Sequence, residues 1–202
     1  LTKIINIILL WEQGVAGSNP ATSTTNYKAS LQRLFCFVDY SMIEKLIIRE
    51  YNSSDEKKWL QCRLISFHDS AYYDDVYTKK PEFNNSSLEL VAELNGKIIG
   101  ILDLEKDSED GSICYCKSGV GAMIWTIAVL PDCRRYGIAS KLVLKAKEWS
   151  KVNDVNFIEA WTRDDKWVLD WYESLNFEKF HSYWHIYFKG DNAKSLFDSN
   201  DK

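Results

Sequence analysis

The chain has 202 residues, of which 46% are hydrophobic and 27% are charged, a balance typical of one soluble globular domain with a sizeable core. A formal net charge of −4 argues against a nucleic-acid-binding surface, which requires an excess of basic residues. The load of 8 Trp, 11 Tyr and 9 Phe favours a lined pocket over a disordered chain. Five cysteines without a CxxC pair indicate reduced thiols and no metal site; they are Cys36, Cys62, Cys114, Cys116 and Cys133.

The first 41 residues form a segment of their own. Its apolar run, residues 4–11, is far shorter than the roughly 20 residues of a membrane helix, so we expect no membrane association. Gly17-Ser18-Asn19-Pro20 can be encoded as GGT-TCG-AAT-CC, which resembles the T-arm of a tRNA gene. We therefore expect residues 1–41 to be tRNA-gene readthrough, a non-native or disordered extension, with the natural protein beginning at Met42. A signal peptide is the alternative.

The next part of the chain predicts a strand, two helices and a hairpin, at residues 44–50, 54–67, 68–77 and 88–104. Ser53 and Glu56 have the spacing of a capping box, which places the start of the first helix near Ser54. Asn95-Gly96 separates two runs of strand-forming residues, 88–94 and 97–104, and this dipeptide is typical of a tight hairpin turn.

A near-continuous apolar run at residues 121–129 predicts a strand buried on both faces. Pro131, two arginines and Gly137 follow it, and then an amphipathic helix at 140–151. This order places a tight turn at a helix N-terminus, directly after a strand. Unpaired N–H groups and the positive end of the helix dipole attract an anion such as pyrophosphate there.

The remaining patterns predict a strand at 155–161, a helix at 165–175 and two strands at 177–180 and 182–189. The element order is then β-α-α-β-β-β-α-β-α-β-β, which indicates a mixed α/β sheet. We expect residues 191–202 to be a flexible tail.

Two motifs resemble those of GNAT-type N-acetyltransferases. Arg134, Gly137 and Ala139 fill the first, fourth and sixth positions of the acyl-CoA-binding signature Arg/Gln-x-x-Gly-x-Gly/Ala. Residues 171–177, Trp-Tyr-Glu-Ser-Leu-Asn-Phe, are similar to the family's aromatic-Tyr-x-x-x-Gly-Phe, with Asn176 replacing the glycine. Asn tolerates the left-handed conformation that such a turn needs.

The resemblance implies a GNAT domain over residues 42–190. Its sheet would have about six or seven mostly antiparallel strands flanked by about four helices, with a splay after the fourth strand. It also implies acetyl-CoA as co-substrate and a cytoplasmic enzyme, monomeric or homodimeric. The residues expected to bind the cofactor are Ile127, Ala128, Val129, Arg134, Arg135, Tyr136, Gly137, Ile138, Ala139, Ser140 and Asp165, although Asp165 stands where the family often has Asn.

Tyr172 is the candidate catalytic acid that protonates the departing thiolate. A thiol has a pKa near 8.5 and a tyrosine near 10. Proton transfer from the tyrosine to the thiolate is therefore unfavourable by about 1.5 pKa units, but it is feasible when the two groups are in contact. The alternative is a core aromatic on an amphipathic helix. The general base stays open, because the family's strand Glu is replaced by Trp125 and Thr126. Water is our default, and the conceivable side chains are His68, Glu93, Asp103 and Glu105.

The acceptor is predicted to be a primary amine of a small molecule or peptide. Carboxylates beside aromatic rings suit a cationic amine, and the candidate acceptor-site residues are Tyr72, Tyr73, Asp74, Trp125 and Trp161. Two alternatives remain: a degenerate domain that binds acyl-CoA as a sensor or partner module, and an enzyme that acetylates protein N-termini or lysines.

Overall fold

The computed structural model describes residues 2–10, 45–68, 70, 76–187 and 194–197. Within them the strands are β1 Thr2–Leu10, β2 Leu46–Glu50, β3 Ser87–Leu94, β4 Lys97–Lys106, β5 Gly121–Val129, β6 Phe157–Arg163, β7 Glu178–Tyr187 and β8 Lys194–Phe197. The α-helices are α1 Glu56–Phe67, α2 Ile138–Val152 and α3 Lys166–Ser174. No helix in these ranges is long and apolar enough to cross a bilayer.

The strands form one sheet in the order β2-β3-β4-β5-β6-β1-β7-β8. Every neighbouring pair is antiparallel except β5 and β6, which run parallel over residues 121–124 and 157–160. The expected mixed, mostly antiparallel sheet is confirmed. The fourth helix that we expected, at 68–77, lies mostly outside the described residues.

The two faces of the sheet carry different helices. On β4, Asp103 lies on the face covered by α1, because Lys80 contacts both its carboxylate and the ring of Trp59 on α1. Gly100 lies on the opposite face, where an added Cβ would come 3.1 Å from Ile138 of α2. We call these the α1 face and the α2 face.

The hairpin at Asn95-Gly96 has the predicted turn, with φ angles of 51° and 78°. The capping box before α1 is shifted by one residue from the prediction. Asn52 and Asp55 form it, since the Asn52 side chain accepts from the N–H of Ser54 at 3.0 Å and Asp55 accepts from the N–H of Asn52 at 3.1 Å. Arg49 also donates two hydrogen bonds to Asp55, which explains why Asp55 and not Glu56 is the acidic member of the capping box.

The splay after the fourth expected strand is present. The register between β4 and β5 shifts at Trp125, which is the extra residue of a β-bulge. After the bulge, β5 pairs with β4 alone among the described strands, while residues 161–163 of β6 pair with residues 4–6 of β1. A slot therefore opens between the second halves of β5 and β6.

β1 corrects the expectation of disorder at the N-terminus. Thr2–Leu10 lies inside the sheet between β6 and β7, with its isoleucines at positions 4, 5, 7 and 8 at most 4% exposed. An apolar nine-residue strand is stable there because both of its edges are hydrogen-bonded and both of its faces are covered. Residues 11–41 lie outside the described residues, and the readthrough origin with a start at Met42 stays a prediction.

The two strands predicted at 177–180 and 182–189 form a single strand, β7. A bulge at Phe180, where the register against β1 shifts, produces the break in the pattern. In the expected tail, Lys194–Phe197 is a strand that pairs with β7.

Candidate active site

A turn with two left-handed residues connects β5 to α2. The Pro131–Cys133 single turn of 3₁₀-helix comes first, then Arg135 at φ 68° and Gly137 at φ 73°. An added Cβ at Gly137 would meet nothing within 4 Å. Glycine is therefore favoured here because it adopts the left-handed backbone angle, and the space in front of the turn is open.

The same turn presents a row of backbone donors. In the part of the chain that the structure describes, no acceptor faces the N–H groups of residues 135–140, and the first bond of α2 runs from Lys141 to the carbonyl of Gly137. These N–H groups and the helix dipole together form a site for an anion.

The two predicted arginines have different surroundings. Arg134 donates through Nε to the carbonyl of Val129 at 3.2 Å and through Nη2 to the carbonyl of Ser66 at 3.0 Å. Its guanidinium thus joins the turn to the end of β5 and to the last turn of α1. Both arginines are exposed, but the guanidinium of Arg134 is engaged by these carbonyls, so Arg135 is the arginine placed to add positive charge for a ligand.

The two sequence motifs meet in space. Trp171 donates through Nε1 to Ser140 Oγ at 3.0 Å, which joins α3 to the first turn of α2. Asn176 has a φ of 66°, so the left-handed turn expected at the family's glycine is present. Phe177 then packs against the ring of Tyr172, with centroids 5.2 Å apart.

The features that the two motifs predict occur together: a donor-rich turn lies between a splayed strand and a helix, and a second aromatic motif packs against it. A model of the Acetyltransferase (GNAT) family matches residues 45–177. The chain belongs to the GNAT acetyltransferase family. Acetyl-CoA is the acetyl donor that this family implies.

Solved structures support the same fold. A transcriptional regulator from Bacillus halodurans C-125 is 21% identical, with a TM-score of 0.53 over 71% of this chain and 99% of that one. The aminoglycoside acetyltransferase AAC(6')-Iy, with a bisubstrate analogue, is 21% identical, with a TM-score of 0.51 over 73% and 99%. A putative GNAT acetyltransferase from Novosphingobium aromaticivorans DSM 12444 is 12% identical, with a TM-score of 0.51 over 90% and 61%. No curated protein matches the chain.

Tyr172 of the GNAT domain is buried, at 3% exposure, and lies beside the ring of Trp171 at 4.4 Å between centroids. Asp165 is the N-cap residue of α3, but its side chain makes no capping hydrogen bond and pairs instead with Arg163 at 2.5 Å. A carboxylate paired in this way has less capacity for a cofactor contact. Cys133, beside the donor-rich turn, has its pKa raised by partial burial, which disfavours a thiolate nucleophile.

Two of the five candidate acceptor residues lie on the α1 face near the splay. Trp125, 53% exposed, donates through Nε1 to Glu105 at 2.9 Å. Trp161 packs against Tyr183, with centroids 5.1 Å apart, and it belongs to an aromatic group that also includes Tyr115 and His181. The other three, Tyr72, Tyr73 and Asp74, lie outside the described residues.

The four candidate bases have distinct surroundings. Glu93 pairs with Arg49 at 2.7 Å, and His68 caps the end of α1. Glu105 accepts hydrogen bonds from Trp125 and from Asn85. Asp103 is 1% exposed and faces Thr126 across the β4–β5 pair.

The sequence patterns missed Lys80, which is 4% exposed and neutralises Asp103. Lys80 lies in an irregular polar segment before Pro81, where no periodicity marks a buried position. The structural bonds of Arg134 were missed as well, because their acceptors are backbone carbonyls that carry no sequence signal.

Proposed function

We propose that the protein transfers an acetyl group from acetyl-CoA to a primary amine of a small molecule or peptide, by direct attack in a ternary complex. The observation that carries the proposal is the row of donor N–H groups at residues 135–140, placed where the β5–β6 slot opens. Because acetyl-CoA is the donor, we place the reaction in the cytoplasm.

The donor would bind from its diphosphate to its thioester along this path. The N–H groups of residues 135–140 and the exposed Arg135 suit the diphosphate. The edge of β5 that faces the slot, at residues 127–129, suits the amides of the pantetheine arm, as a peptide strand adds to a sheet edge. The thioester carbonyl oxygen would then accept a hydrogen bond from the N–H near Ile127, which is an oxyanion-hole arrangement.

The reaction needs one bond formed and one broken. The amine nitrogen attacks the thioester carbon, the C–S bond breaks, and the CoA thiolate takes a proton from an acid. The N–H proton that the new amide nitrogen loses restores that acid. We assign the role of this acid to the Tyr172 hydroxyl, because burial beside Trp171 and Phe177 excludes water that would compete with it. Asp165 would contribute least to cofactor binding, since it pairs with Arg163.

The acceptor side favours a cationic amine. Carboxylates and aromatic rings share the α1 face beside the slot, notably Glu105 with Trp125, and Trp161 across the slot. Charge and cation–π attraction would hold an ammonium there. A wide, shallow groove on this face would favour a protein N-terminus or lysine as acceptor instead.

The test has two measurements on the full chain. Isothermal calorimetry should detect coenzyme A binding, and a thiol-release assay with a panel of amines (polyamines, aminoglycosides, amino acids and peptides) should show turnover of at least one. Absence of binding at millimolar coenzyme A in a folded sample would overturn the proposal.

A domain that binds acyl-CoA without turnover is the second candidate, favoured by the pairing of Asp165 with Arg163. Tyr172→Phe separates the two. An enzyme should lose about 100-fold in kcat with little change in acetyl-CoA affinity, because only the proton donor is removed. If wild type binds acetyl-CoA but releases no thiol with any amine, the binding module is the correct assignment.

A further inference from the structure

A buried ion cluster lies on the α1 face beside the bulge. Lys80 Nζ is 2.5 Å from Glu89 of β3 and 3.2 Å from Asp103 of β4. The rings of Tyr51, Trp59 and Phe83 surround the same ammonium at 4.9 to 5.1 Å from their centroids. Buried ion pairs contribute little net stability relative to apolar packing, so their presence suggests another role.

Asp103 occupies a specific place in this cluster. It faces Thr126 directly across the β4–β5 pair, at the first register position after the bulge residue Trp125. Thr126 immediately precedes Ile127, whose N–H we assign to the thioester carbonyl. The Thr126 side chain lies on the α1 face with Asp103, the side from which we expect the acceptor to approach.

Asp103 also has acceptor capacity to spare. Its Oδ1 lies 3.2 Å from Lys80 Nζ, and the Thr126 hydroxyl faces it across the β4–β5 pair, but neither oxygen makes a hydrogen bond of good geometry to the described residues. Glu105, by contrast, accepts from the backbone and side chain of Asn85 at 3.2 and 2.9 Å and from Trp125 at 2.9 Å. Glu93 is paired with Arg49. Of these three carboxylates, Asp103 has the fewest hydrogen-bond donors, so its oxygens have lone pairs open to a further proton donor beside Lys80.

The surroundings of Asp103 bring the pKa of its carboxyl group close to neutral pH. Burial raises its pKa from 3.8 to about 6, against the lowering effects of Lys80 and of the Thr126 hydroxyl. Glu89 of β3 raises it further, and Tyr51 after β2 is the remaining titratable group of the cluster. A carboxylate with this pKa is ionised at pH 7 and can be protonated transiently.

We propose that Thr126 and Asp103 form a proton relay that takes the acceptor's proton, with Lys80 as the fixed counter-charge. The inference rests on the proposed function. The ammonium of the bound amine gives a proton to Thr126 Oγ1 as the Thr126 hydroxyl proton passes to Asp103. The neutral amine then attacks the thioester carbon. Thr126 touches the substrate, and Asp103 acts through it.

The relay predicts a particular pH dependence. In wild type, kcat/KM should fall below pH 6, because protonated Asp103 cannot accept another proton. In Asp103→Asn the amine must lose its proton to solvent before attack. Its kcat/KM should be about 100-fold lower at pH 7 and should rise about tenfold per pH unit towards the pKa of the amine. The assay is thiol release with the panel amine of highest rate, from pH 5 to pH 10.

Two Thr126 variants test the first member of the relay. Thr126→Val keeps the shape and removes the hydroxyl, so it should show the same profile as Asp103→Asn. Thr126→Ser should restore most of the rate and the flat profile above pH 6. Coenzyme A affinity should change less than threefold in all three variants, because the donor-rich turn is untouched.

Glu89→Gln is the matched control, since Glu89 contacts the same Lys80 and lies opposite Asp103, but on β3, which does not pair with β5 and Thr126. Its rate at pH 7 should stay within about threefold of wild type, and its acid limb should move to lower pH, because Glu89 raises the pKa of Asp103. Folding of each variant is checked by its thermal unfolding midpoint.

The outcomes separate the relay from the proposed function. If wild type turns over no amine, the proposed function fails. Suppose that wild type is active and that Asp103→Asn and Thr126→Val both fold. If these variants then keep the wild-type pH profile, whatever the size of their rates, the relay is wrong. If Asp103→Asn does not fold, the profile of Thr126→Val decides alone.

Discussion

Two groups flank the slot between β5 and β6, and they are built in opposite ways. The donor-rich turn at residues 135–140 consists of backbone N–H groups held by two left-handed residues, Arg135 and Gly137. The cluster around Lys80 consists of side chains from β3, β4 and the segment between α1 and β3. The first is open to ligand, whereas Lys80 and Asp103 at the centre of the second are buried.

The difference follows from the chemistry that each side handles. Every acyl-CoA presents the same diphosphate, so backbone amides at a helix start suffice to bind it. An acceptor amine must be desolvated and must lose a proton, which requires a titratable group at a fixed position. Side chains from several strands are the means of fixing it. The turn should therefore respond to backbone changes, and the cluster to changes of charge.

The largest expected effect is on the cluster. Lys80→Met should lower the free energy of unfolding by about 3–5 kcal/mol, because it leaves the buried Asp103 and the partly exposed Glu89 without their counter-charge. Coenzyme A affinity of the folded variant should not change. Urea unfolding followed by tryptophan fluorescence measures the first quantity, and calorimetry measures the second.

Lys79→Met is the control for that substitution. Lys79 is the preceding residue, is exposed, and pairs with the exposed Glu82. Its removal should leave the unfolding free energy unchanged. Equal losses in the two variants would show that burial of the Lys80 ion pairs contributes nothing specific.

Local signals explain why the turn could be predicted from the sequence and the cluster could not. The apolar strand, Gly137 and the amphipathic helix lie within about 30 consecutive residues, and each has its own pattern. The hairpin at Asn95-Gly96 was predictable for the same reason. Lys80 and Asp103 are 23 positions apart in the chain, and no local sequence pattern around either residue indicates that the two are in contact.

β1 shows the same limit at the level of the fold. Its apolar run was visible, but no sequence pattern indicates that residues 2–10 pair with strands more than 140 residues later. Strand partners that are distant in sequence are chosen by the assembled sheet. Periodicity fixed the type of most elements, whereas the neighbours of β1 came only from the structure.

A substitution in β1 tests whether this strand lies between β6 and β7, and its expected effect on the unfolding free energy is intermediate. Asn6 donates to Glu159 at 2.8 Å, and both residues are fully buried. Glu159 also accepts from the N–H groups of Tyr115 and Cys116, so it holds the segment before β5. Asn6→Ala should therefore cost about 1–3 kcal/mol of unfolding free energy in urea titrations.

Leu10→Ala is the control, because Leu10 ends the same strand and is 56% exposed. It should change the unfolding free energy by less than about 0.5 kcal/mol. If Asn6→Ala is equally silent, β1 does not occupy its position between β6 and β7 in solution, and the readthrough interpretation of residues 1–41 gains support.

The smallest expected effect on stability, and the sharpest on binding, comes from Gly137→Val. A β-branched residue at φ 73° costs about 1–2 kcal/mol. Gly96 provides a close match, since it has a φ of 78° and equally open space at its Cβ position, but lies in the β3–β4 hairpin. Gly96→Val should lower stability by a similar amount and leave coenzyme A affinity intact.

Gly137→Val should in addition weaken coenzyme A binding at least tenfold, because the changed backbone angle turns the N–H groups of residues 135–140 away from a common point. Calorimetry on both variants measures the ratio. If both lose affinity equally, the loss follows from general destabilisation. If neither does, the diphosphate is not bound by this turn, and side chains such as Arg135 must bind it instead.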